Sequence, residues 1–211
     1  MNHLLNIYVS KKISDQVMIG NYIGNWVKPS HYANYPDEIQ KGILMNRKID
    51  EFIKNSQAFE RSKKRLKPYF IKHSTLIVSI FYDHFLAVNW KQYSSVSLDV
   101  SAHEAYLKLM ENMSFITHKF KCLVPGLFTR RYINNLTTLA GIHYFMLYIT
   151  KKDNFPTSLY ASIEDLIQNY DLFKNDFEEF LLELNNYISK IHSEERTKYI
   201  VPVKYSYVYV N

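Results

Sequence analysis

The chain has 211 residues, a formal net charge of +6, 47% hydrophobic residues and 22% charged residues. This excludes a disordered chain and suffices for one domain with a sizeable core, or two small ones. Five glycines and six prolines are too few for an all-β fold rich in tight turns, and the single cysteine, Cys122, excludes an internal disulfide and points to a reducing, cytoplasmic compartment.

Residues 1–9, MNHLLNIYV, predict a short apolar helix, and its lysines follow the apolar run, the reverse of a secretory signal. Asp15 is placed to cap a helix over 15–27 that stops before Pro29, with Asn21 and Asn25 four residues apart on it. Pro36 suits the first position of the next helix, with Asp37 and Glu38 in its first turn, and the pattern reaches residue 54. Within it lies GILMNRKIDEF, residues 42–52. Positions 39, 43, 46, 50 and 53 share one narrow face, and three are isoleucines while the others are Asn46 and Asp50.

A basic helix follows over 56–67, ended by Pro68. Its run RSKKRLK is either a solvated face or a surface for an acidic partner, and no nucleic-acid motif accompanies it. The longest apolar stretch, STLIVSIFYDHFLAVNW at 74–90, is short for a membrane span and carries Asp83 and His84 near its middle. Asp83 shares a face with Leu76, Ile80, Ala87 and Trp90; His84 shares one with Ile77, Phe81 and Val88. A helix apolar on every side is surrounded by protein. A carboxylate buried there needs several donors, a cation or a metal. Two readings stand: loop amides or an arginine such as Arg47 satisfy the pair, or polar pairs from three helices converge on an ion. Against the ion, amides are weak, neutral ligands.

Helices are predicted over 98–112, 127–151 and 161–190, the last with Ile163, Leu166, Ile167, Tyr170, Phe173, Phe177, Phe180, Leu184 and Ile188 at helical spacing. Residues 164–183 hold seven acidic residues against one lysine. The tail YIVPVKYSYVYV alternates like an edge strand or docking arm, with Pro202 inside it. His3, His31, His73, His103, His118, His143 and His192 are scattered and read as surface or packing residues. No HExxH, paired CxxC, GxSxG or phosphate-cradling glycine loop occurs. The fold is read as all-α: one domain, 1–195, bundled around helix 74–90, with an extended tail over 196–211.

Met1-Asn2, Gly20-Asn21, GILMNRKID and FYDHFLAVNW, in this spacing, resemble the acyl carrier protein phosphodiesterase family. The resemblance is strongest over 1–93 and extends more weakly to residue 190. It implies an all-α fold remotely related to the HD phosphohydrolases. It also implies removal of the 4′-phosphopantetheine arm from holo acyl carrier protein with a divalent cation, typically manganese. By this resemblance Asp50 and Asp83 would hold the ion, and His84 would orient water or protonate the leaving serine oxygen. Acidic acyl carrier protein would meet Arg61, Lys63, Lys64, Arg65 and Lys67. The chain departs from the family pattern at four positions. Asn6 and Asn46 stand where histidines are usual, Asn25 and Lys54 where aspartates are usual. These changes predict weak manganese binding and reduced turnover. The alternative is a non-catalytic relative that binds acyl carrier protein or another acidic partner. Either way Asn25, Asn46, Asp50 and Asp83 are expected to converge on one polar pocket.

Overall fold

A computed structural model of the protein describes residues 3–10, 13–116, 118–121, 133, 135–152 and 159–198. Among the described residues there is no strand, and the predicted all-α fold is the observed one. The helices are α1 (His3–Ser10), α2 (Asp15–Ile23), α3 (Asp37–Asn55), α4 (Gln57–Arg65), α5 (Ser74–Val88), α6 (Trp90–Tyr93), α7 (Leu98–Glu111), α8 (His118–Lys121), α9 (Leu139–Lys152), α10 (Ile163–Gln168) and α11 (Tyr170–Lys198).

Boundaries moved where a side chain captured a backbone donor. Ser14, not Asp15, is the N-cap of α2, its hydroxyl accepting from Val17 N at 3.3 Å. Pro36 is the residue before α3 rather than its first. The predicted helix 161–190 is broken: Asn169 donates to the Asp165 carbonyl through both its backbone N (3.1 Å) and its side chain (3.1 Å), ending α10. That break shifts the helical phase, which is why Ile167 is 56% exposed although its spacing placed it in the apolar stripe. Much of the predicted helix 127–151 falls outside the described residues, and so does the tail from 199 onward. Residues 196–198, assigned from sequence to the tail, continue α11.

Helix α5 is the centre. Every residue from Ile77 to Ala87 is buried, as its all-round apolarity requires. It packs against α11 through aromatic edges: Phe81 on Phe173 (centroids 5.3 Å, 82°) and Tyr82 on Phe177 (5.4 Å, 73°), with Phe59 of α4 against the far side of Tyr82 (5.3 Å, 83°). Beside this core, α2 and α3 meet backbone to backbone. A Cβ on Gly20 would lie 2.1 Å from the Ile39 carbonyl oxygen and 2.8 Å from Gly42 Cα; one on Gly42 would lie 2.1 Å from the Val17 carbonyl oxygen. Only glycine permits so close a crossing. One turn further on, Gly24 faces Asn46, whose Cβ would be 2.5 Å from a Cβ at Gly24. Glycines at 20 and 24 thus set the register of α2 against 42 and 46 of α3.

The basic run of α4 lies against the acidic face of α11. Asp176, buried, accepts from Arg61 Nε (3.0 Å), Arg65 Nε (3.0 Å) and Ser62 Oγ (3.1 Å). Arg61 also pairs with Glu179, Lys67 with Glu164 (3.2 Å) and Asp165 (3.5 Å), and Lys63 with Glu60 (2.7 Å). Lys64 is exposed. The acidic counterpart expected for this run is supplied by its own chain. No helix among the described residues is long and apolar enough to cross a membrane.

Candidate functional site

The glycine crossing determines which polar residues meet. The Gly24–Trp26 turn after α2 sets Asn25 beside α3, close enough to Asp50 for its amide to favour the ionised carboxylate. Asn46, one turn before Asp50, is 2% exposed, and its Oδ1 has no hydrogen-bond partner among the described residues. Burial pushes the Asp50 carboxyl above its ordinary range, opposed by the charge of Lys54 and the amide of Asn25. Asn25, Asn46 and Asp50 are thus neighbours at the α2–α3 crossing, with Asn46 buried, Asp50 half-buried and Asn25 exposed rather than on the buried face its spacing suggested.

Asp83, on α5, is held by a different helix, and no contact joins it to Asn25, Asn46 or Asp50 among the described residues. Its carboxylate oxygens accept from the backbone of α1: Leu4 N at 3.3 Å and Leu5 N at 3.1 Å. Those are first-turn donors with no partner inside the helix, so Asp83 caps α1 from outside. Burial raises its pKa to about 7, against the pull of those two donors. His3 and Tyr22 complete this end. The Tyr22 hydroxyl donates to the His3 carbonyl (3.1 Å), and burial, reinforced by the Asp83 charge, raises the Tyr22 phenol. Burial also lowers His3 to about 3, which leaves its imidazole neutral. Asn6 is buried three residues on along α1. Helix α2 thus touches both groups, Tyr22 on the Asp83 side and Asn25 on the Asp50 side.

Asn21 takes another course. It donates to Ser10 Oγ (2.9 Å), tying the end of α1 to α2, and its Oδ1 is a buried acceptor without a hydrogen bond. His84 leaves α5 in a direction different from Asp83. Its Nδ1 faces the Leu136 carbonyl (2.8 Å) and its Nε2 the Tyr170 hydroxyl (3.1 Å). A carbonyl can only accept, so Nδ1 carries the proton and Nε2 accepts from Tyr170. Burial depresses the imidazole further, partly offset by Leu136, so it sits neutral between α5 and α11. Arg61 and Arg65 line the α4–α11 seam, Lys67 pairs with Glu164 and Asp165 of α10, Lys63 pairs with Glu60 of its own helix, and Lys64 is exposed. Sequence reasoning missed His3 and Tyr22; the sole signal was a histidine in an otherwise apolar first helix.

Sequence comparison decides the lineage. A family model described as acyl carrier protein phosphodiesterase matches residues 1–184. The chain belongs to the acyl carrier protein phosphodiesterase family. Its relatives include proteins of that name from Photorhabdus laumondii, 24% identical over 188 residues (85% of this chain and 91% of that protein), and from Pectobacterium atrosepticum, 22% identical over 181 residues (85% and 93%). A third, from Klebsiella pneumoniae, is 23% identical over 181 residues with the same coverage. No solved structure matches. Residues 1–184 include the stretches Gly20-Asn21, GILMNRKID and FYDHFL, which supply the glycine crossing, Asn46, Asp50 and Asp83.

Proposed function

We propose that this chain binds acyl carrier protein and that its phosphodiesterase turnover is greatly reduced. The observation that carries this reading is the donor set at the α1–α2–α3–α5 junction. Manganese(II) is held by carboxylates and imidazoles, which supply charge or a strong lone pair. Here Asn25, Asn46 and Asn6 supply amides. The charge of Asp50 is coupled to Lys54 and to the Asn25 amide. Asp83 is committed to the Leu4 and Leu5 amides. Among the described residues no three His, Cys, Asp or Glu side chains are grouped to hold a metal ion. This set does not fit a tightly held divalent cation, so no catalytic step is assigned through one.

Each substitution conserves shape while removing ligand strength. Asparagine for aspartate is near-isosteric but neutral; asparagine for histidine removes the imidazole. Cβ, Oδ1 and Cγ of Asn46 would lie 2.5–2.7 Å from a Cβ at position 24, so it is the glycine there that leaves room for the side chain of residue 46. The test is manganese titration calorimetry with an assay for released phosphopantetheine, on the natural chain and on Asn25→Asp with Asn46→His. The natural chain should bind weakly, and the double variant at least about tenfold more tightly, ~1.4 kcal/mol. Adding Asn6→His and Lys54→Asp should strengthen binding again. Tight manganese binding with turnover by the natural chain would overturn the reading, as would failure to bind acyl carrier protein.

A further inference from the structure

The cations of RSKKRLK looked from sequence like the natural dock for an acidic protein. Arg61, Arg65 and Lys67 are already engaged across the fold, Lys63 pairs with Glu60 of its own helix, and Lys64 alone of the run is left exposed and outside the ion pairs described. Arg61 and Arg65 converge on Asp176, and Lys67 is held by Glu164 and Asp165. Asp176 is itself buried, so this is not an exchangeable surface contact. The helix that carries it also contributes Phe173, Phe177 and Phe180, all fully buried, so α11 cannot lift away to free the arginines without opening the core.

The remaining cations sit elsewhere. Leu44, Arg47, Lys48 and Glu51 follow one another at i, i+3, i+4 and i+7 along the outer face of α3, and Lys54 extends the stripe by a further turn. At 1.5 Å per residue, Leu44 to Lys54 spans about 15 Å. Arg47 is fixed, its guanidinium 5.6 Å from the Tyr32 ring centroid and its Nη2 3.5 Å from the Val27 carbonyl. That contact brings the exposed Lys28 alongside. Within the described residues Lys28, Lys48 and Lys54 make none of the ion pairs found in the fold. Leu44 is 41% exposed, an apolar contact at one end of the stripe. Asp50 and Glu51 interrupt the positive charge, and an interrupted stripe with an exposed leucine suits a protein face better than a nucleic-acid backbone.

We infer that the outer face of α3, with Lys28 beside it, is the docking surface for the acidic face of acyl carrier protein. The inference rests on the reading that this chain binds that partner. It adds that the docking helix is the one that also carries Asn46 and Asp50. Attraction of unpaired, exposed charges speeds encounter and weakens with salt.

Titration calorimetry of the full chain with holo acyl carrier protein, at low and physiological salt, tests this. Lys48→Glu with Lys54→Glu should weaken binding about tenfold or more and flatten its salt dependence. Lys28→Glu with Lys48→Glu, away from Asp50, should act in the same direction. Lys63→Glu with Lys64→Glu should change binding by less than about twofold, as exposed, partly compensated charges do. Circular dichroism checks that each variant keeps its helix content. A normal chain that binds but is insensitive to both α3 variants overturns the surface alone. A chain that does not bind overturns both the surface and the reading beneath it. Binding of a generic DNA duplex, lost on the same α3 reversals, overturns the surface in favour of nucleic acid.

Discussion

Asp176 and Asp83 are both buried aspartates, and their surroundings are opposite. Asp176 meets two guanidiniums and a hydroxyl at 3.0–3.1 Å. Among the described residues Asp83 accepts from the backbone N–H groups of Leu4 and Leu5, and burial raises its carboxyl to about 7. The first site is charge-balanced by its own chain, which marks it as architecture. The second holds a buried carboxyl group whose hydrogen-bond donors among the described residues are uncharged backbone amides. A buried acid left in that state marks a place where the sequence has answered to chemistry rather than to stability.

Breaking the balanced site should have the larger effect. Asp176→Ala strands Arg61 and Arg65 against the core and is expected to cost about 3 kcal/mol, the low end for a broken buried pair because both arginines keep contact with water. Asp83→Asn keeps one acceptor for α1 and removes a charge, and should stay within about 1 kcal/mol at pH 8. Urea unfolding of the two variants measures the contrast; equal losses would erase it. The scaffold between them comes next. Gly42→Ala drives a methyl into the Val17 carbonyl and is expected to cost ~2–3 kcal/mol, with loss of the α2–α3 register. Thermal unfolding at unchanged melting temperature would show that the crossing is looser than drawn.

The finest discrimination is in pH. Asp83 is raised from 3.8 to about 7, so between these values the folded state holds a proton that the unfolded state has lost. Its contribution therefore falls as pH rises, by up to ~1.4 kcal/mol per unit. His3 is lowered from 6.5 to about 3, so the unfolded state holds the proton there and stability rises with pH. From about pH 4 to 6.5 the two oppose, and their joint contribution is nearly flat. Asp83→Asn should unmask a rising limb and His3→Phe a falling one. Unfolding curves at half-unit pH steps would reveal either; unchanged slopes in both variants would mean that neither group titrates as its burial dictates.

Much of this architecture was legible in the sequence, because helical periodicity is local. The apolar surround of 74–90 gave away a central helix, and Asn46 and Asp50 stood out as polar residues on an isoleucine face. What could not be read was pairing across the chain. The basic run and the acidic run were each visible, yet Arg61 and Asp176 are separated by 115 residues, and nothing local to either assigns them to one another. Asp83 was legible as a buried acid in need of a partner. That the partner is the first turn of α1 was not, because backbone N–H groups have no sequence signature. The break at Asn169 escaped notice because its capping bond interrupts a pattern that is otherwise unbroken by composition.

The capping of α1 bears on synthesis as well as stability. Leu4 and Asp83 lie 79 residues apart. An eight-residue helix is too short to persist in water unaided, so α1 cannot complete its first turn until α5 has left the ribosome. At ordinary elongation rates that is a delay of roughly 4–16 s, during which the apolar segment His3–Ser10 must remain unengaged. Helix α1 is thus secured only after α2, α3 and α4 have been made, and a holding chaperone would be expected to shield its apolar segment in that interval.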